Sequence, residues 1–138
     1  IYNDQFKKIE FIPYEKRIVN SLKIVIDEEV SYSHKFEDRH VLNALFSKRE
    51  TCDDILIVKQ GFITDSSHAN IVFKENDYWV TPKTYLLPGT MRQNLIDKKI
   101  ITENEIRAID LHRFTKFKLI NAMVGFEGPE IDVSNIVE

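Results

Sequence analysis

Ile55-Leu56-Ile57-Val58 is the tightest constraint in the chain. A strand with one wet face alternates apolar and polar residues, whereas this run leaves no polar face. It therefore predicts a strand over Asp54 to Lys59 that is buried on both sides, and so a fold with layers above and below it. Gln60-Gly61 makes the turn that follows. The next stretch, Ile63 to Phe73, has a small polar centre, Asp65-Ser66-Ser67, between apolar runs. Thr64, Asp65, Ser66 and Ser67 favour a turn because their side chains bond nearby backbone. A carboxylate set just before a buried strand also needs a partner, since burying a bare charge is costly. From this stretch alone Asp65 reads first as the cap of a turn and second as part of a site.

The other elements are expected around these two stretches. Phe6 to Pro13 alternates and reads as a strand ended by its proline. Ser21 to Ile26 reads as a second strand, with Leu22, Ile24 and Ile26 on one face. Asp38 is a candidate cap for a helix carrying Val41, Leu42, Leu45 and Phe46 at helical spacing. Asn70 to Lys74 and Tyr78 to Thr81 form a hairpin over Asn76-Asp77, with Pro82 ending the return strand. Pro88-Gly89 is a turn, and Thr90 is a candidate cap for a helix reaching about Lys98. A helix start with a glycine and exposed amides can receive an anion. Thr102 to Ile109 reads as a short helix or turn-rich segment, Phe117 to Met123 as a strand, and Ile131 to Ile136 as a final edge strand. The fold class is mixed α/β (α+β): a twisted mixed sheet or pseudo-barrel flanked by two or three helices.

Composition narrows the function classes. At 138 residues the chain is the size of one domain. Its net charge of −3 and the lack of a Lys/Arg cluster argue against nucleic-acid binding. The single cysteine, Cys52, allows no internal disulfide and suits the cytoplasm. No apolar run reaches membrane-spanning length. His34, His40, His68 and His112 do not fall at metal-ligand spacing, so no metal site is expected. His68 stands beside Asp65 and reads as a structural histidine or a contact to a substrate or to Asp65. The chain begins at Ile1 in strand-like sequence, so a preceding segment is expected.

Three segments in order, Lys35-Phe36-Glu37-Asp38-Arg39, Thr64 to Ile71 and Leu87-Pro88-Gly89-Thr90-Met91-Arg92, resemble the class IV aminotransferases. Leu119 to Gly125 is similar to a further segment of that family. The family comprises fold-type IV pyridoxal-phosphate enzymes: branched-chain and D-amino-acid aminotransferases and aminodeoxychorismate lyases. The resemblance implies that residues 1–138 are the main cofactor-binding domain, with an N-terminal part absent. It also implies pyridoxal 5'-phosphate as cofactor, a small-molecule amino substrate and a homodimer.

Roles are implied residue by residue. Lys35 matches the lysine that forms the Schiff base and carries the proton, which needs an amine with a lowered pKa. Asp65 matches a family glutamate facing the pyridine nitrogen, one methylene shorter here. Gly89, Thr90 and Met91 match the phosphate turn, and Asn121 and Ala122 match the other cofactor-contacting segment. Met91 and Ala122 stand where many members carry hydroxyls. The family's phosphate arginine would fall before Ile1. The Lys-x-x-Asp-Arg form is nearest the lyase and D-amino-acid branches. A lyase making 4-aminobenzoate is therefore expected first, an amino acid aminotransferase second. A non-catalytic binding module is the alternative of another class.

Overall fold

A computed structural model describes residues 19–28, 35–122 and 125–138, with the backbone alone at 35–39. The strand expected at Phe6 to Pro13 lies outside the described residues, as do His34 and Met123. The described elements are β1 (Leu22–Ile26), α1 (Lys35–Phe46), β2 (Asp54–Lys59), β3 (Phe62–Ile63), β4 (Asn70–Glu75), β5 (Tyr78–Pro82), α2 (Thr90–Asp97), β6 (Thr102–Asn104), β7 (Lys116–Ile120), β8 (Ile131–Asp132) and β9 (Ile136–Val137). They form two sheets, β3-β2-β1-β9 and β6-β5-β4-β7-β8. This is the mixed α/β architecture expected from the pattern of strands and helices.

β1 and β2 pair in parallel, Leu22 opposite Asp54 and Ile26 opposite Val58. Parallel neighbours need a crossover, and α1 supplies it. β2 is buried from Asp54 to Val58, as the unbroken apolar run requires. Its two faces serve different layers. Leu56 and Val58 join Leu22, Ile63, Ile71, Phe73, Val80, Phe117 and Ile131 in a cluster between the sheets. Ile55 and Ile57 pack instead with Val25, Leu86 and the α1 residues Leu42 and Leu45. Each such side chain contributes about 1.5–3 kcal/mol by leaving water. β4 divides likewise: Ile71 and Phe73 face the central cluster, while Val72 meets Leu95 of α2, Ile101 and Ile120. The layers thus run helix, sheet, sheet, helix.

The turns follow local chemistry. Gln60 and Gly61 both hold positive φ, 54° and 84°, between antiparallel β2 and β3. That geometry matches the strand twist and suits glycine. Asn76, at φ 58°, turns β4 into β5. Among the described residues, no helix is long and apolar enough to cross a membrane.

Five expectations need correction. Ile26 is 63% exposed while Val25 is buried. β1 is covered on both sides like β2, so Val25 meets α1 and the strand end projects past the layers. The first helix starts at Lys35, which puts Asp38 inside its first turn rather than at its cap. Helix extension is cheap once the Leu42 and Leu45 face has docked, so the local cap signal does not set the start. Thr90 is the first residue of α2, and Gly89 holds the cap position without a side-chain bond. Thr102–Asn104 is a strand parallel to β5, followed by a 3-10 turn at Ala108–Arg113. The open edge of β5 offers backbone partners that outweigh a weak helical preference. The tail is two short strands in different sheets, β8 and β9, divided by a 3-10 turn at Val133–Asn135. The Asp132 carboxylate accepts from Ser134 N and turns the chain there.

Candidate functional site

The polar loop between β3 and β4 is tied to itself and to β2. Thr64 Oγ1 donates to the Ile57 carbonyl at 2.7 Å. Ser66 Oγ donates to the Ala69 carbonyl at 3.0 Å and accepts from Ala69 N. These bonds let a buried loop satisfy its own backbone.

Asp65 is 1% exposed. Its Oδ2 accepts from Leu86 N at 2.6 Å and Leu87 N at 2.7 Å. Its Oδ1 accepts from Asn70 Nδ2 at 2.9 Å. Burial pushes its pKa up to about 6, against the pull of these three donors and the more distant charge of Arg92. Among the described residues it makes no ion pair, so it is a buried carboxylate short of a cation.

Asn70, first residue of β4, joins this carboxylate to the next turn. Its Nδ2 also donates to the Leu87 carbonyl at 2.8 Å. A Cβ on Gly89 would lie 2.1 Å from Asn70 Oδ1, so only glycine fits beside it. The same contact sets the start of α2. Gly89 caps the helix in an extended conformation, φ −71° and ψ 136°, and no side chain bonds the first amides. Those amides and the positive end of the helix dipole favour an anion.

A cavity of about 290 Å³ opens here, lined by Leu42, Ser67, His68, Asn70, Leu87 and Gly89, among others. Of the residues expected from the sequence, Gly89, Thr90, Asn121 and Ala122 line it. Met91 is half-buried, packed against the cluster of Val72 and Leu95. Asp65 does not line the cavity; Asn70 and the Leu87 backbone stand between. Lys35 is the first residue of α1, seven positions before the cavity-lining Leu42. Seven residues are nearly two helical turns, which puts both positions on one helix face about 10 Å apart along the axis.

A second buried carboxylate adjoins the cavity. Asp54 is fully buried, and its Oδ2 lies 2.8 Å from His68 Nδ1. Its Oδ1 accepts from Ser67 Oγ at 2.8 Å and Ile55 N at 2.7 Å. Burial raises its pKa, but His68, Ser67 and Ile55 outweigh that and hold it below the usual carboxylate value. His68 therefore meets Asp54, not Asp65. Asn70 and Asp54 were not among the site residues expected from the sequence. Both are polar residues directly before buried apolar runs, a costly position that signals a partner.

The family model for amino-transferase class IV matches residues 12–127. An uncharacterised protein of Haemophilus influenzae is 39% identical over 124 residues, 90% of this chain and 66% of its own length. The crystal structure of a protein from Haemophilus somnus 129PT, provisionally named 4-amino-4-deoxychorismate lyase, is 40% identical with a TM-score of 0.75. It covers 80% of this chain and 57% of that one. A hypothetical aminotransferase of Mycobacterium tuberculosis, in its PLP-bound form, has a TM-score of 0.64 at 15% identity, over 93% of this chain and 51% of that one. At that identity the likeness concerns the fold. The chain spans between about half and two thirds of the length of these relatives.

Proposed function

The chain belongs to the class IV aminotransferase family, and from that premise we propose a pyridoxal-phosphate enzyme, most like an aminodeoxychorismate lyase. The observation that carries this reading is that an uncapped helix N-terminus lines the cavity, and behind Asn70 and Leu87 in its wall lies a buried carboxylate with no ion pair among the described residues. An anionic phosphate suits the first, and a protonated ring nitrogen suits the charge of the second. When bound, the cofactor supplies an aldehyde for the amine and a ring that accepts electrons from the substrate carbon.

The chain's own residues have separate tasks in this proposal. Gly89, Thr90 and Met91 hold the phosphate with backbone N–H groups at the start of α2. Asn121 and Ala122 bound the cavity beside them. Lys35 is the amine that meets the cofactor and moves the proton. Asp65 supplies the negative charge that keeps the ring nitrogen protonated. Asn70 and the Leu86 and Leu87 amides hold that carboxylate in place. Leu42 and Leu87 line the cavity with apolar surface and keep water from it.

The lyase reading takes support from the relative of H. somnus at 40% identity. The substrate is then aminodeoxychorismate, released as 4-aminobenzoate and pyruvate. An amino acid aminotransferase is the second reading within the family. A homodimer in the cytoplasm belongs to the same proposal, as does the assignment of residues 1–138 to one cofactor-binding domain. Product analysis tests the reading. With cofactor and aminodeoxychorismate, pyruvate and an aromatic amine in equal amounts support it. Transfer of an amine to a 2-oxo acid, with no pyruvate from aminodeoxychorismate, overturns it in favour of the aminotransferase.

A further inference from the structure

His68 stands out once the lining of the cavity is sorted by charge. Among the described residues that line it, His68 is the only one whose side chain can carry a positive charge. The others are apolar, hydroxyl, amide or backbone groups. Its ring is not free to choose an orientation. Nδ1 lies 2.8 Å from Asp54 Oδ2 and is sealed from solvent. Asp54 is itself fixed through its other oxygen, by Ser67 Oγ and Ile55 N. The backbone N–H of His68 donates to Ser66 Oγ at 3.3 Å, so the main chain is held as well. Yet the His68 side chain is 23% exposed. With Nδ1 sealed, that exposure belongs to the rest of the ring, and the cavity is what it lines.

The chemistry follows from the partner. A carboxylate at Nδ1 keeps the proton on that nitrogen. The Asp54 carboxylate faces that side of the ring. When both ring nitrogens carry protons, Nε2 presents an N–H to whatever occupies the cavity. In that form the pair is nearly neutral as a whole and its cavity side is the positive one. Asp54 on β2 is a charged group directly against the ring; among the described residues that line the cavity, Leu42 of α1, Thr90 of α2 and Asn121 carry no charge.

We propose that His68 is a ligand-binding residue of this cavity, oriented by Asp54, whose Nε2 takes an anionic oxygen of the bound molecule. That oxygen comes either from the cofactor or from a carboxylate of the substrate. Asp54 and Ser67 are positioning residues, acting through His68. The inference rests on the reading that the cavity holds a small anionic molecule. It adds to that reading a contact from the His68 ring, which lines the same cavity as the start of α2.

The test follows the His68 ring nitrogens by NMR in the full-length protein, with resonances assigned by comparison with His68→Gln. Pyridoxal phosphate, pyruvate and 4-aminobenzoate are added one at a time, and the two acids again after the cofactor. The expected result is that at least one of them shifts the Nε2 resonance as it saturates. His68→Gln then weakens that molecule about tenfold or more, the scale of one charge-assisted hydrogen bond. Asp54→Asn weakens it in the same direction. A shift with pyridoxal phosphate alone identifies a cofactor oxygen, and a shift only with an acid identifies a substrate carboxylate. Saturation with no histidine Nε2 resonance moving overturns the inference, and needs neither the assignment nor a folded variant. Unchanged affinity in a folded His68→Gln overturns it too. If pyridoxal phosphate does not bind but an acid binds through His68, the cofactor reading alone fails. If none of the three binds, both fail.

Discussion

Gly89→Ala isolates the contact that joins the polar loop to the start of α2. At φ −71° and ψ 136° the position suits any L residue, so backbone strain does not enter. The added methyl would lie 2.1 Å from Asn70 Oδ1 and 3.3 Å from its Cγ, an overlap that something must relieve. Asn70 cannot withdraw without loosening its bonds to Asp65 and to the Leu87 carbonyl. The first is charge-assisted and worth about 1.5–3 kcal/mol, the second about 0.5–1.5 kcal/mol. Partial loss of both, or the equivalent overpacking, sets the cost at about 2–3 kcal/mol. A smaller part is the weaker capping of alanine compared with glycine, up to about 1 kcal/mol. The assay is urea unfolding at neutral pH of the wild-type chain, Gly89→Ala, Asn70→Ala and the double variant. In the Asn70→Ala background the methyl keeps only an ordinary contact with Arg92 Cβ at 3.9 Å, so Gly89→Ala should there cost only the capping part. The double variant should thus be more stable than the sum of the singles by about 1–2 kcal/mol. Additivity within about 0.5 kcal/mol would refute the reasoning, since it would mean that Asn70 yields freely.

Two further outcomes follow from the packing and the charges. Asp65 has a folded pKa raised to about 6 from 3.8, so the folded ligand-free state holds its proton more tightly than the unfolded chain. Its contribution to stability is full below about pH 4 and is lost as pH rises through about 6, a loss of roughly 3 kcal/mol. The stability of the wild type relative to Asp65→Asn should fall across that window in urea titrations, and a flat difference would refute it. Phe73 is fully buried and stacks on Phe114 with centroids 5.0 Å apart. Phe73→Ala should cost about 3–5 kcal/mol, seen as a lower unfolding midpoint; a cost under about 1 kcal/mol would show a core that collapses around the gap.

The layering was legible because it rests on periodicity. The apolar run at Ile55 to Val58 requires cover on both faces, and β2 has it. The β4–β5 hairpin is readable from Asn76-Asp77 between β-forming runs, and its strands pair Glu75 with Tyr78 across that turn. What was not legible depends on tertiary partners. Thr102–Asn104 becomes a strand only because β5 has an open edge. Thr90 yields the cap to Gly89 because Asn70, twenty residues earlier in the chain, fills the space beside it. At the site, the glycine and threonine of the α2 start were readable as local turn chemistry. The contact of His68 with Asp54 was not, because it joins two elements fourteen positions apart across a loop. Nothing in the spacing of Asp54, Asp65 and His68 says which carboxylate takes the histidine.

The central claim is that this cavity holds pyridoxal phosphate with Lys35 as its amine. The most direct measurement incubates the full-length protein with pyridoxal phosphate, reduces the mixture with borohydride and locates the added mass by peptide mapping. The expected result is about one cofactor per chain, attached at Lys35, and no comparable attachment in Lys35→Ala. No attachment, or one spread over the other lysines and unchanged in Lys35→Ala, would contradict it.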